Sequence, residues 1–423
     1  MILHIFKIIW NERRTNSWIA LEFVLVFTVL WFCTDFLYDM AKRYLQDTGY
    51  DIKHTYTVRF GSKSTMPGWL EEREKKEEET EYQDAMTIVD RIKKYHGVES
   101  VSLSESAVPY EFSYSAGGYL INSDTVNTQM SRKKVTASFF DVFKIKPVSG
   151  QLFSDDNLTE GVIISSMDGK FLEKHPISEV TSIKDGWDSD HKNSMQVIGI
   201  VNTPRTNYIN NPMNSLFIGL KKEEVNILFN QVALRVSPEA DVNFTEKFMK
   251  DMREQLNVGE YYLTSIESGE SILRTAASLF GNSNNVKSTL SITVFLLVNI
   301  FLGIIGTFWF LTQSRRSEIG LRIALGSSKR KVTGWIISET LIILLVTSVI
   351  ATIICINVSM TDLLQSMGLP VVHRPEDAPV DYLQHILNYG ITFGVLALIS
   401  VGAVWYPASQ AAKVQPADAL RDE

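Results

Sequence analysis

The chain has 423 residues, 45% of them hydrophobic, with a formal net charge of −7 and a mean hydropathy of +0.01. It is too long for one ordinary domain and too apolar in places for a wholly soluble one. The acidic balance, with no basic and aromatic groove pattern, excludes nucleic acid as a partner.

The first stretch, MILHIFKIIWNERRTNSW, puts His4, Lys7, Asn11 and Arg14 on one helical stripe and Ile2, Phe6, Ile9 and Trp10 on the other side. Residues 1–17 therefore read as an amphipathic helix lying in the membrane interface. Residues 18–38 are apolar enough to cross about 30 Å of hydrocarbon, which takes roughly 20 residues. No small-x-small cleavage site follows, so this window reads as a retained anchor. Glu22 lies about one turn inside it, close enough to the end for its side chain to reach the headgroups.

Residues 39–287 contain no further span and read as a folded α+β domain. Its sequence YDMAKRYLQDTGYD continues the first helix as a stalk toward Gly49, and IKHTYTVRF reads as a strand. Glu71 to Glu79 is a mixed charge run, the mark of a solvated helix face. A helix with Ala85, Ile88, Val89 and Ile92 on one face leads through Gly97 into the strand of VESVSL. SFFDVFKIKPVSGQLFSDD ends in a Gly-Gln turn, GVIISS is a strand followed by a helix, and MQVIGIVNT, LFIGL and NQVALRV are short β-rich runs. The β-rich insertion is placed at 151–220. FTEKFMKDMREQL is an amphipathic helix, YYLTSIES a strand, and GESILRTAASLF a helix whose apolar stripe is assigned to the first span's extension as the second stalk element.

That domain carries no recognisable chemistry. His54, His96, His175 and His191 are scattered without ligand spacing, so no metal is assigned. There is no G-x-S-x-G or H-E-x-x-H, and Gly169 and Lys170 lack the rest of a phosphate loop. No catalytic residue is assigned, and the chain reads as a non-enzyme with no cofactor of its own. Both cysteines, Cys33 and Cys355, fall inside apolar windows, so the domain folds without disulfides.

Three more spans follow at 290–311, 335–358 and 386–406. They contain no lysine or arginine and no row of ionisable residues of the kind that lines an ion path. Gly390 and Gly394 have a G-x-x-x-G spacing that suits close helix contact. The loop at 312–334 carries Arg315, Arg316, Arg322, Lys329, Arg330 and Lys331, whereas the 359–385 loop has Arg374 as its only Lys or Arg. Positive residues near span ends stay in the cytoplasm. Both termini and the basic loop are thus expected inside, and the 39–287 domain and the 359–385 loop outside.

Within the loop, RRSEIGLRIALGSSKRK pairs Ile319 with Ile323, Leu321 with Leu325, and Glu318 with Arg322 at spacing four. Gly326 suits a left-handed helix end, Ser327 or Ser328 a cap for the next helix, and Gly320 an accessible backbone. A compact helix, turn and helix is expected rather than a loose basic tether. This motif, with the 407–423 tail YPASQAAKVQPADALRDE, resembles the signature of MacB/FtsX-type ABC transporter permeases. The resemblance includes Pro407, Ala408, Ala411, Ala412, Pro416, Ala419 and Leu420, and in the outer domain the order of a MacB-like periplasmic domain with its V-x-G-I-V strand at Val197 to Val201.

The resemblance implies an α-helical membrane protein with four transmembrane helices and a large extracytoplasmic α+β domain on a helical stalk, in the inner membrane. It implies a homodimer, or a heterodimer with a paralogue, bound to a separate cytoplasmic ABC ATPase that holds ATP and magnesium. Glu318, Gly320, Arg322, Ala324, Leu325 and Gly326 become the candidate coupling residues, and Pro407, Ala411, Pro416 and Leu420 the C-terminal motif. The implied work is mechanical, driving an envelope substrate or an unidentified envelope protein. The alternatives are an FtsX-like regulator of an envelope enzyme, and an ATPase-independent receptor or scaffold whose basic loop binds membrane lipids.

Overall fold

The computed structural model describes residues 13–45, 49–63, 78–111, 113, 115–122, 128–158, 160–165, 180–186, 194–202, 214–279, 282–359, 361 and 382–413. Residues 1–12 of the interface helix, most of the charge run at Glu71 to Glu79, Pro416, Leu420, and the helix expected after GVIISS lie outside them. The chain divides into two compact units, residues 46–282 and the remainder.

The first unit is built on a four-stranded antiparallel sheet. Strands β1 (Thr55–Ser62), β2 (Val98–Glu105), β10 (Gln231–Val236) and β11 (Tyr261–Ser268) lie in the order β11-β1-β10-β2. Helices α2 (Glu78–Lys93) and α4 (Phe244–Met252) supply the apolar faces that cover it. Ala85, Ile88, Val89 and Ile92 from one helix, and Phe244, Phe248 and Met252 from the other, bury into the sheet as their spacing predicts. The chain order is strand, helix, strand twice over, a ferredoxin-like arrangement split by a long insertion.

That insertion is a closed barrel. Strands β3 (Ala116–Ile121), β4 (Thr128–Val135), β6 (Val162–Ser165), β7 (Ser182–Asp185), β8 (Ser194–Val201) and β9 (Ser215–Gly219) pair in the ring β4-β3-β7-β8-β6-β9, and β9 returns parallel to β4. Tyr119, Ile121, Met130, Ile164, Ile183 and Leu216 are among the side chains that cluster as its core. Strand β5 (Pro147–Gly150) adds to β8, and the turn there needs Gly150, which has φ +73° and would place a Cβ 2.3 Å from the Ile198 carbonyl. The barrel starts at Ala116, not at residue 151. Its first two strands include TQMSRKKV, whose polar composition hides a strand from propensity.

Two buried cations mark the junction within this unit. Arg235 on β10 donates from Nε to the Val142 carbonyl at 2.6 Å, and from its terminal nitrogens to those of Lys53 at 2.9 Å and Asp51 at 2.6 Å. It thereby ties the short helix α3 (Phe139–Val142) and the entry to β1 to the sheet. Lys133 on β4 is only 3% exposed, and its ammonium donates to the Ser106 carbonyl at 3.4 Å. Helix α5 (Gly269–Leu279) buries Ile272 and Ala276 against Tyr110, with Ile52 alongside. Part of its stripe thus finds a partner within this unit. Helix α1 (Arg13–Leu45) extends past the end of the first predicted window at residue 38.

The second unit is a helical bundle. Helices α1, α6 (Asn282–Ser314), α8 (Lys329–Ser359) and α9 (Tyr382–Ala411) are each long and apolar enough to cross a membrane, and they contain the four predicted windows. Phe23, Phe27, Trp31, Ile304, Phe308, Ile336, Leu344, Leu396 and Val404 are part of a shared core. Helix α9 also buries a polar row, Gln384, Asn388, Thr392 and Ser400, at multiples of four residues. Asp35 of α1 accepts hydrogen bonds from the side-chain amides of Gln384, at 2.9 Å, and Asn388. Glu22 turns toward a neighbouring helix, because a Cβ on Gly303 of α6 would meet its carboxylate at 2.2 Å. Gly390 and Gly394 meet nothing within 4 Å, so their spacing makes no close contact here.

Candidate functional site

The segment from Arg315 to Lys331 folds as the sequence chemistry predicts. Helix α7 (Arg316–Ala324) ends when Gly326 takes φ +92°. The Ser327 amide reaches back to the Arg322 carbonyl and the Gly326 amide to that of Ile323, both at 3.0 Å. This is the six-to-one and five-to-two closure of a Schellman turn. Ser328 then accepts a 3.4 Å hydrogen bond from the Lys331 amide and caps α8, which runs without interruption into the third span. Gly326→Ala is expected to cost about 1 kcal/mol, from the left-handed conformation alone since a Cβ would meet open space there. A small drop in the melting temperature of the detergent-solubilised chain would register it.

Two arginines hold α7 against α8. Arg315 makes a forked pair with Glu339, with Nη1 at 2.9 Å from Oε2 and Nη2 at 3.1 Å from Oε1, and both side chains are buried. Arg322 lies 4.0 Å above the Trp335 ring and pairs with Glu318 at 2.7 Å. The guanidinium is planar and weakly hydrated, which suits it to both tasks. Neither Arg315–Glu339 nor Trp335 was assigned a role from the sequence. The available signal was a solitary carboxylate inside an apolar span, which requires a cation, with an arginine just beyond the adjacent span end.

The six candidate coupling residues separate into three groups. Gly320 is buried, so it serves close packing and does not present backbone to solvent. Glu318 and Arg322 are partly buried in the clamp. Ala324, Leu325 and Gly326 are exposed at the tip, Leu325 to 79%, and Leu321 joins them at 49%. Ile319 faces inward, in the core of the bundle. Lys329, Arg330 and Lys331 stand exposed beside the apolar tip. Of the C-terminal motif, Pro407 is buried in the last turns of α9 and Ala411 is partly buried. No three of His, Cys, Asp and Glu converge as a metal site among the described residues.

The FtsX-like permease C-terminal model matches residues 290–416, which covers the Arg315–Lys331 segment and three of the four spans. That stretch is similar to FtsX-like permeases. Among curated proteins, the chain is 23% identical over 320 residues to the macrolide export ATP-binding/permease protein MacB of Neisseria meningitidis, a match covering 73% of this chain and 46% of that protein. The corresponding protein of Neisseria gonorrhoeae is 22% identical over 321 residues, with the same coverage. The chain thus spans about half the length of the curated relatives it matches. Among solved structures it is similar to the periplasmic region of MacB from Actinobacillus actinomycetemcomitans, with a TM-score of 0.33, 15% identity, and coverage of 55% of this chain and 97% of that one. The extracellular domain of the transporter YknZ from Gram-positive bacteria gives a TM-score of 0.29 and 13% identity, covering 49% of this chain and all of that one.

Proposed function

We propose that this chain is the membrane subunit through which a separate cytoplasmic ABC ATPase drives conformational change in the α+β domain, with an envelope substrate or protein as the output. The observation that carries the reading is the Arg315–Lys331 segment. A short helix is clamped to the third span by two arginines while Leu321, Ala324 and Leu325 are exposed beside three cations. Exposed apolar side chains on a rigid support, ringed by charge, fit a protein contact better than a lipid tether.

The rest of the sequence agrees with this division of labour. It has no G-x-x-x-x-G-K-[ST] loop, so ATP and magnesium belong to the partner, whereas the matched MacB proteins are named as both ATP-binding and permease proteins. The bundle's carboxylates Asp35 and Glu339 are held by side chains of other segments, so they knit the bundle together instead of lining a path. In this reading two permease chains and two ATPases form the complex, the basic loop and both termini face the cytoplasm, and the α+β domain lies outside.

Leu325→Asp is the direct test, because an exposed side chain is changed without disturbing the clamp. Purification in mild detergent with mass spectrometry is expected to recover a stoichiometric ATPase with the native chain. The variant should lose at least tenfold of it, the scale of a central interface residue. Equal recovery with both chains would remove the docking role, and protease protection of the α+β domain in intact cells reports its side of the membrane.

A further inference from the structure

We propose that the basic end of the bundle carries a binding site for the phosphodiester headgroup of an anionic phospholipid, built between the ends of α6 and α9. The inference rests on the membrane spans and on no property of the ATPase. A cavity of about 50 Å³ opens there, lined by Trp309, Thr312, Gln313, Arg316, Pro407 and Gln410 among others. It has room for a group the size of a phosphate. One wall is apolar, and the other offers a guanidinium and two amides able to donate hydrogen bonds to phosphate oxygens, whereas the Thr312 hydroxyl already donates to the Trp309 carbonyl at 2.9 Å.

Its depth in the membrane follows from the aromatic residues. Trp309 and Tyr406 stack with centroids 6.3 Å apart, and both are exposed, as is Trp405. Amphipathic rings of this kind settle at the level of the headgroups. On the hydrocarbon side Phe310 is 77% exposed, and the adjoining face of α6 forms an open groove of about 560 Å³ that includes Leu302, Gly306 and Phe310. An acyl chain attached to a headgroup in the cavity has this groove to lie in. The sign of charge is set by Arg316 together with exposed Lys329, Arg330, Lys331 and Lys413 at the same end, where Glu318 is already paired with Arg322. Such a cluster favours an anionic over a zwitterionic lipid.

The test uses the full chain in detergent, exposed to equal amounts of phosphatidylglycerol and phosphatidylcholine, with retained lipid counted by native mass spectrometry. Phosphatidylglycerol is expected to be retained preferentially, and Arg316→Glu to reduce that retention on the order of tenfold, the scale of a lost charged hydrogen bond. Gln410→Glu alters an exposed side chain and should act in the same direction, which keeps the test decisive if the Arg316 variant folds poorly. Arg330→Glu removes the same charge away from the cavity and should reduce retention by much less than Arg316→Glu does. Equal retention of both lipids, equal loss in all three variants, or displacement of the lipid by millimolar inorganic phosphate would each overturn the proposal. They would point respectively to a lipid annulus, to diffuse attraction, and to a site for a free anion.

Discussion

Replacing Glu339 by alanine is expected to cost the membrane bundle about 3–5 kcal/mol, because it strands the Arg315 guanidinium in a buried position without its counter-charge. The pair is forked, with Nη1 2.9 Å from one carboxylate oxygen and Nη2 3.1 Å from the other, and both side chains are almost fully buried. Breaking such a pair costs far more than replacing it, since the desolvation of one ion is no longer offset. The double variant Arg315→Met, Glu339→Leu should therefore recover most of the lost stability. Thermal unfolding of the solubilised chain distinguishes the two: a steep loss in the single variant and near-recovery in the double. A single variant within about 0.5 kcal/mol of native would show that the pair does not hold the segment. The double variant also tests coupling. If ATPase binding needs only a well-packed helix, it survives; if it needs this ion pair to set the helix position, it fails in a stable protein.

The second large effect has the opposite sign. Lys133→Met is expected to stabilise the α+β domain at neutral pH by about 3 kcal/mol. Burial alone pushes the Lys133 ammonium down from its ordinary 10.5 to about 8, and each unit corresponds to about 1.4 kcal/mol. Above 10.5 the amine is neutral whether the chain is folded or unfolded, and the penalty is absent. As pH falls from there toward 8, the unfolded chain takes up the proton first and the native state loses stability. Below 8 both are charged and the full penalty stands. Native stability should therefore rise on going from pH 7 to pH 10, and the Met variant should lack that slope. Urea unfolding across this range decides the matter, and a Met variant with unchanged stability and unchanged slope would refute it. Methionine keeps the length of the aliphatic stem and needs no hydrogen bond, so packing is preserved.

Much of the local structure was legible in the sequence because it depends on local chemistry. The α2 stripe of Ala85, Ile88, Val89 and Ile92 has helical spacing, and those residues bury as a face. Gly326 and Ser328 have side chains suited to a left-handed end and an N-cap, and they occupy those positions. Helix α5 shows the limit of such reasoning. Its stripe announced that it needed a partner, but not that Tyr110 would be that partner. Gly320 shows the same limit at the candidate site. A glycine in a short helix fits either exposure or close packing, and only the neighbouring span decides between them.

By itself, then, the sequence determined four spans, an intervening α+β domain and a capped basic helix, all readable from hydropathy, periodicity and caps within about 20 residues. The tertiary structure decided the closure of the barrel through the parallel β4–β9 pair, the forked Arg315–Glu339 clamp, and the Asp35 bonds to Gln384 and Asn388. Each of these joins residues far apart in the chain. A polar side chain carries no mark of which distant group will satisfy it, and only packing the helices and strands together brings the two within hydrogen-bonding distance.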